Sequence, residues 1–222
     1  MPEVFEINLL DSKGIDNARE VVLDSLRRGE IIVAAIEHAY VFACDAFDRD
    51  AVKRLHTLRA DDYGVASQVM IGKTQTLQGI AQNVTPEVKL LVENFWPGLL
   101  TLHLQPHQGL SWDLGDGGDL SEFAVRIPKR DFFLSVLEKS GPLAVSSAAL
   151  AGRPPIVDIG FIAALDSEIG VYAEEGILEP GPASTVIRQR KKGADFGLEL
   201  VREGSITLAQ LQEIAPTLSQ EE

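Results

Sequence analysis

A single cysteine, Cys44, stands among the 222 residues. No disulfide can close within such a chain, and a cytoplasmic setting is the expectation, because bridges accumulate where the surroundings are oxidising. No apolar run reaches the roughly 18 residues that a membrane helix needs. The first six residues, Met-Pro-Glu-Val-Phe-Glu, carry no basic stretch ahead of an apolar one, so no secretory signal is read. Bases are scarce beside acids, 20 against 33, for a net charge of −13. Nonspecific nucleic-acid binding depends on Lys and Arg neutralising phosphates, so only weak RNA binding is expected, through a local basic groove if at all. The generic signatures of chemistry are missing too. There is no Gly-x-x-x-x-Gly-Lys-Ser/Thr phosphate loop, no Gly-x-Gly-x-x-Gly after a strand and no Gly-x-Ser-x-Gly elbow. His103 and His107 have the spacing of a helical metal pair but straddle a strand end and Pro106, so no metal ligand is assigned.

What is present is an ordinary globular composition, 45% hydrophobic and 24% charged. The length suits one domain over 1–222, with 1–15 and 215–222 as peripheral ends. The elements alternate. Asp16–Arg28 reads as a helix, with Ala18, Val21, Val22 and Leu26 on one face and Gly29 ending it. Ile31–Ile36 and Ala39–Cys44 read as buried strands, and Cys44 as a small core residue. Asp48 caps a helix through Leu58, and Thr85-Pro86-Glu87 opens another. Val65–Ile71, Leu99–Leu104, Phe123–Ile127, Leu143–Ser146, Ile169–Tyr172, Ser184–Ile187 and Leu198–Arg202 read as strands. Helices are expected from Asp131 to near Gly141, over Ile159–Leu165 and over Thr207–Ile214, before a frayed Ser219-Gln-Glu-Glu tail. The order predicts an α/β fold with a mixed sheet. Trp112–Asp119, with three aspartates and three glycines, reads as an exposed, flexible, solvated loop. The basic run Arg188–Lys192 reads as the cap of a solvent-facing hairpin or, alternatively, as an RNA contact.

Three segments are less generic. In Phe95-Trp96-Pro97-Gly98-Leu99-Leu100-Thr101 a helix ends in aromatics and turns into a strand. In Ser146-Ser147-Ala148-Ala149-Leu150-Ala151-Gly152 a strand ends in hydroxyls and small residues, which lets a ligand approach the backbone. In Pro182-Ala183-Ser184-Thr185-Val186-Ile187 hydroxyls open a strand after a Gly/Pro loop.

These segments, together with Arg126-Ile127-Pro128 and Val201-Arg202-Glu203-Gly204, resemble the YrdC family of L-threonylcarbamoyladenylate synthases from about Ala18 to about Ile214. The resemblance is to the short, single-domain form. It implies a twisted α/β sheet with a concave groove that binds ATP, threonine and bicarbonate with Mg2+. The product it implies is threonylcarbamoyl-AMP, used in tRNA modification, and the family is often described as binding double-stranded RNA. On this reading Arg126, Ser184, Thr185 and Arg202 lie near a nucleotide.

The sequence departs from the family pattern where the chemistry should be. Pro-Thr-x-Thr-x-Tyr-Gly-Leu is replaced by Ala35-Ile36-Glu37-His38-Ala39-Tyr40-Val41-Phe42, which keeps Tyr40 and sets Glu37 and His38 beside it. Both read either as solvated at a strand end or as parts of a repurposed pocket in which they handle protons. Lys-x-Arg becomes Arg59-Ala60-Asp61, and Ser-x-Asn becomes Ser147-Ala148-Ala149. Placing an aspartate where an arginine faces phosphate replaces attraction with repulsion, and a lost contact of this kind costs on the order of 10²–10³ in rate. Asp61 and Asp62 offer the alternative of carboxylates for magnesium. Three readings follow: a synthase with Arg59, Asp61 and Ser147 at its centre; a scaffold that binds a nucleotide-like ligand, RNA or a protein without catalysis; or an enzyme of altered chemistry.

Overall fold

The computed structural model describes residues 3–8, 11–62, 64–162, 168–193 and 195–220. In chain order the elements are β1 (Glu3–Glu6), α1 (Ser12–Arg27), β2 (Ile31–Ala35), β3 (Tyr40–Asp45), α2 (Arg49–Arg59), β4 (Gln68–Met70), α3 (Leu77–Ile80) and α4 (Pro86–Phe95). Then come β5 (Leu100–Leu104), β6 (Phe123–Arg126), α5 (Asp131–Ser140), β7 (Leu143–Ser147), β8 (Ile169–Glu174), β9 (Thr185–Lys192), β10 (Asp195–Arg202), α6 (Leu208–Ile214) and β11 (Ser219–Gln220). The strands join in one sheet, in the order β1-β8-β2-β3-β7-β4-β6-β5-β9-β10-β11. Parallel pairs (β1–β8, β8–β2, β4–β6, β5–β9, β10–β11) alternate with antiparallel ones, so the sheet is mixed, as the element order predicts.

Every residue of β2 is buried, which is why its sequence is apolar without alternation. Ile31, Val33 and Ala35 face one core, filled by Leu55 of α2, Leu91 of α4 and Leu211 of α6. Ile32 and Ala34 face a second core, filled by Val22 and Leu26 of α1 and by Phe133 and Leu137 of α5. Helices therefore cover both faces. Their starts are set locally. Asp48 accepts from the Asp50 and Ala51 amides at 3.0 Å, Thr85 accepts from Val88 at 3.3 Å ahead of Pro86, and Thr207 and Gln210 form a capping box. No helix among the described residues is long and apolar enough to cross a membrane. Cys44 is fully buried, which pushes its thiol well above its usual range.

Several local expectations are corrected. Helix α1 begins at Ser12, four residues early, and β1 ahead of it pairs with β8 at one sheet edge. At the other edge Ser219 and Gln220 pair with Glu199 and Leu200 instead of fraying. The strand expected over Val65–Ile71 shrinks to β4, because the Ser67 amide donates to the Leu114 carbonyl of the acidic loop at 2.8 Å. Ile159–Phe161 is a single 3-10 turn capped by Asp158, and the expected continuation to Leu165 lies outside the described residues. The run Arg188–Lys192 belongs to β9 itself. There Gln189 is buried, Arg188 pairs with Glu122 at 3.1 Å and Arg190 lies 3.6 Å from Glu199.

The Trp112–Asp119 segment is not a free loop. Trp112 is 4% exposed, packed edge-on against Phe123 at 5.3 Å and tilted against Phe47 at 5.4 Å, and Leu114 is fully buried. Two of its three aspartates serve the loop's own backbone: Asp113 accepts from the Gly115 and Gly117 amides, and Asp116 from Leu114. Trp112→Ala should therefore cost about 3–5 kcal/mol in a urea unfolding titration, the range for losing a buried aromatic. A change below about 1 kcal/mol, typical of surface sites, would show that the loop does not depend on its anchor.

Candidate functional site: a cleft on the sheet face

A cleft of about 320 Å³ opens where the β2–β3 turn meets the segment leading into β9. Its floor is apolar, from Val41, Met70 and Val145 on β3, β4 and β7. Six of the residues singled out in the sequence line it: Glu37, His38, Arg126, Ser147, Ser184 and Arg202. Small residues shape the mouth, among them Gly181, Pro182 and Ala183.

The electrostatic centre is a buried ion pair. Arg126, at the end of β6, is 3% exposed, and its Nη1 donates to both oxygens of Glu37, at 3.1 and 3.2 Å. The Lys129 amide donates to Glu37 Oε1 at 2.7 Å. Burial lowers the Arg126 pKa from its usual value, and the Glu37 carboxylate pulls it back. The expectation of a solvated Glu37 is thus corrected, since the turn folds its carboxylate inward onto Arg126. Arg126 Nε and Ser147 Oγ are buried without a protein partner, which leaves two polar atoms unsatisfied in the residues lining the cleft.

His38 is held from two sides. Its Nδ1 donates to the Glu179 carbonyl at 3.0 Å, and its ring lies on Gly181, where a Cβ would collide with it. Arg202 reaches from the end of β10 to the Ser184 carbonyl at 2.9 Å, and Ser184 Oγ accepts from Thr101 at 2.9 Å.

Four expected site residues lie outside the lining. Tyr40 is fully buried; its hydroxyl donates to the Gly176 carbonyl at 2.7 Å and accepts from the Glu175 amide at 2.9 Å. Thr185 is fully buried as well. Its Oγ1 donates to the Ile206 carbonyl at 2.6 Å and accepts from the Gly204 and Ile206 amides, at 3.0 and 2.9 Å. That hub explains the Arg-x-Gly signature in packing terms, because a Cβ at Gly204 would strike the Ala183 carbonyl and Ser184. Arg59 is not among the residues lining the cleft. Its Nη1 donates to the carbonyls of Ser147 and, at 2.7 Å, Ala149, while its Nε meets Asp61 at 3.0 Å. Asp61 is shared with His56, whose Nδ1 lies 2.9 Å from Oδ2.

His56 was not anticipated, although it is central to this second network. Its Nε2 lies 2.8 Å from the Leu114 carbonyl and 2.9 Å from Ser67 Oγ, so it ties α2 to β4 and the acidic loop. The only sequence hint is a histidine in the last turn of a helix, five residues ahead of an aspartate. Its carbonyl partner is 58 positions away and has no signature. A further pair, Arg130 with Glu175 at 2.8 Å, fastens α5 to the exit of β8. Burial raises the Glu175 pKa above the ordinary 4.5, with Arg130 opposing the shift.

A mixed open sheet with a cleft on one face defines a class of α/β proteins, and the comparisons place the chain within it. The model of the Sua5/YciO/YrdC family, described as telomere recombination, matches residues 24–204, and the chain belongs to that family. It is 29% identical over 215 residues to the putative threonylcarbamoyl-AMP synthase of Mycobacterium leprae, covering 96% of this chain and 94% of that one. It is 30% identical over 177 residues to the corresponding protein of Mycobacterium tuberculosis, covering 79% of each. The fold matches a structure of P. abyssi Sua5 complexed with L-threonine with a TM-score of 0.83 at 23% identity, over 100% of this chain and 62% of that one. It also matches E. coli YciO with a TM-score of 0.77 at 20% identity, over 95% of this chain and 100% of that one.

Two outcomes follow. Glu37→Gln leaves the Arg126 charge buried with no counter-charge and should cost about 3–5 kcal/mol in chemical denaturation. A loss below about 1 kcal/mol, the value of an exposed pair, would mean that water reaches the guanidinium. Glu175 binds its proton more tightly folded than unfolded, so its contribution to stability falls as pH rises from about 4.5 through the raised value. Stability measured against pH should therefore show wild type losing ground to Glu175→Gln across that window, and parallel curves would contradict the assignment.

Proposed function

We propose that this chain is a binding member of the threonylcarbamoyl-AMP synthase family: its cleft holds a small, amino-acid-like ligand and does not sustain the ATP-dependent reaction. The observation that carries this reading is the engagement of Arg59. It stands where the family pattern has a lysine, yet it is not among the residues lining the cleft and is bound to Asp61 and to two backbone carbonyls. The described lining then offers two cations, Arg126 neutralised by Glu37 and Arg202 held on Ser184. That set does not fit a departing pyrophosphate, for which fixed positive charge aimed at the phosphates supplies much of the catalysis. Nor does it fit magnesium, because Asp61 and Asp62 line a separate hollow beside α2 and no cluster of metal-binding side chains occurs among the described residues. A small ligand with both an ammonium and a carboxylate suits the cleft better, since such a ligand brings its own charge balance. The P. abyssi complex, with L-threonine bound, sets a precedent for this ligand class in the fold.

The competing reading, a working synthase, rests on the mycobacterial relatives, which are named for that activity over nearly the whole of this chain. One assay separates the two: pyrophosphate release with ATP, threonine, bicarbonate and magnesium, for the wild type beside Ser147→Ala. No threonine-dependent release above the variant is expected. Release that depends on threonine and falls in Ser147→Ala would establish a synthase and overturn the binding-only reading.

A further inference from the structure

Of the polar groups in the cleft, the imidazole of His38 is the one whose state the surrounding structure dictates. Its Nδ1 faces a backbone carbonyl, Glu179 O, at 3.0 Å. A carbonyl can only accept, so Nδ1 must carry a proton, and in the neutral ring Nε2 is then a bare lone pair. Nε2 has no partner among the described residues and is not a buried orphan, and His38 is one of the residues lining the cleft. The ring cannot readily turn away, because one face lies on Gly181, where no side chain would fit. The other charged groups of the cleft are engaged with protein partners: Glu37 with Arg126 and the Lys129 amide, Arg202 with Ser184.

The geometry points to His38 as the specificity-determining residue of the cleft, with Nε2 accepting a hydrogen bond from a ligand that presents a donor, an ammonium or a hydroxyl group. Such a site discriminates by the cost of an unmet polar group: a ligand with an acceptor or an apolar group at that place leaves the lone pair desolvated and unpaired. The inference rests on the cleft being the ligand site, and it adds the chemical requirement that the ligand must meet there.

Two measurements on the unmutated protein come first. Long-range 1H–15N spectra report which ring nitrogen bears the proton, and His38 should be the Nδ1–H tautomer once neutral. Diethyl pyrocarbonate acylates an open imidazole lone pair with loss of ethanol and carbon dioxide, and peptide mass mapping should find His38 modified well ahead of His56. A proton on Nε2 of the neutral ring, or a His38 no faster than His56, overturns the assignment.

Binding is then read by calorimetry with L-threonine and with two analogues, L-2-aminobutyrate without the hydroxyl and 3-hydroxybutyrate without the ammonium. His38→Phe should weaken L-threonine on the order of tenfold, the scale of one lost hydrogen bond. It should weaken the analogue that keeps the paired donor by a like factor and leave the other unchanged. Wild type and variant binding all three alike would overturn the inference. If wild type binds none of them while the tautomer and the reactivity stand, the amino-acid reading of the cleft falls and the open nitrogen remains assigned.

Discussion

The pairing of Glu37 with Arg126 is the constraint on which the cleft depends. A guanidinium buried to this degree is tolerable only with a counter-charge, because the desolvation penalty of an unpaired ion in a protein interior is several kcal/mol. Glu37 supplies that charge from the β2–β3 turn, and it also takes up the Lys129 amide ahead of α5. One carboxylate therefore joins two stretches that are distant in the chain, the β2–β3 turn and the segment from the end of β6 toward α5. Its position fixes the neighbouring residue. With Glu37 turned inward, His38 is delivered to the cleft wall against Gly181. Satisfying a buried charge and presenting an imidazole are two consequences of the same turn.

A second arginine solves a different problem. At the end of β7 and just beyond it, Arg59 Nη1 donates to the backbone carbonyls of Ser147 and Ala149. A planar fork with several donors can hold two carbonyls and a carboxylate together, where an ammonium could not keep the same fixed geometry. Asp61 neutralises it and passes the network on to His56, Ser67 and the Leu114 carbonyl. The change of sign at Asp61 that looks damaging in the sequence is thus a local requirement of Arg59. The two residues form a unit that supports the turn under the cleft.

The elements were legible because their signals are local. Thr85-Pro86, Asp48 and the unbroken apolar run of β2 each declare themselves within a few residues, and the structure keeps them. The cleft was legible in part, through Glu37, His38, Arg126, Ser147, Ser184 and Arg202. The errors share a cause. Trp112–Asp119 has the composition of a solvated loop, and the sequence does not show that Trp112 finds Phe123 and Phe47. In the Arg188–Lys192 run Arg190 and Lys191 are exposed as expected, but nothing in the sequence shows that Glu122, just ahead of β6, and Glu199 of β10 lie beside Arg188 and Arg190. Tyr40 and Thr185 match a family signature, but their hydroxyls bond to the protein's own backbone. A signature residue marks a position the fold needs, and packing can be the need as well as chemistry.

That distinction bears on how, on the proposed reading, a chain that binds without catalysis can retain this fold. The parts that hold the cleft in shape are backbone-directed: Thr185 pins the 204–206 turn, Tyr40 pins 175–176, and Trp96 Nε1 donates to the Leu100 carbonyl at 2.6 Å beside the Pro-Gly bend. Tyr40, Thr185 and Trp96 are not among the residues lining the cleft, so each remains worth its stability whether or not a reaction occurs. Residues that would face phosphate have no such second use, and they change freely once the reaction is not required. A chain under selection for a shaped cleft alone would therefore keep the Phe-Trp-Pro-Gly bend, the Ser-Thr-Val entry and the Arg-x-Gly turn while its cations drift into structural pairs. The arrangement of Arg59 with Asp61 matches that expectation, and His38 carries an imidazole where the family pattern has a threonine. Fold and function separate along this line, between hydroxyls and amides that answer the backbone and side chains that answer a ligand.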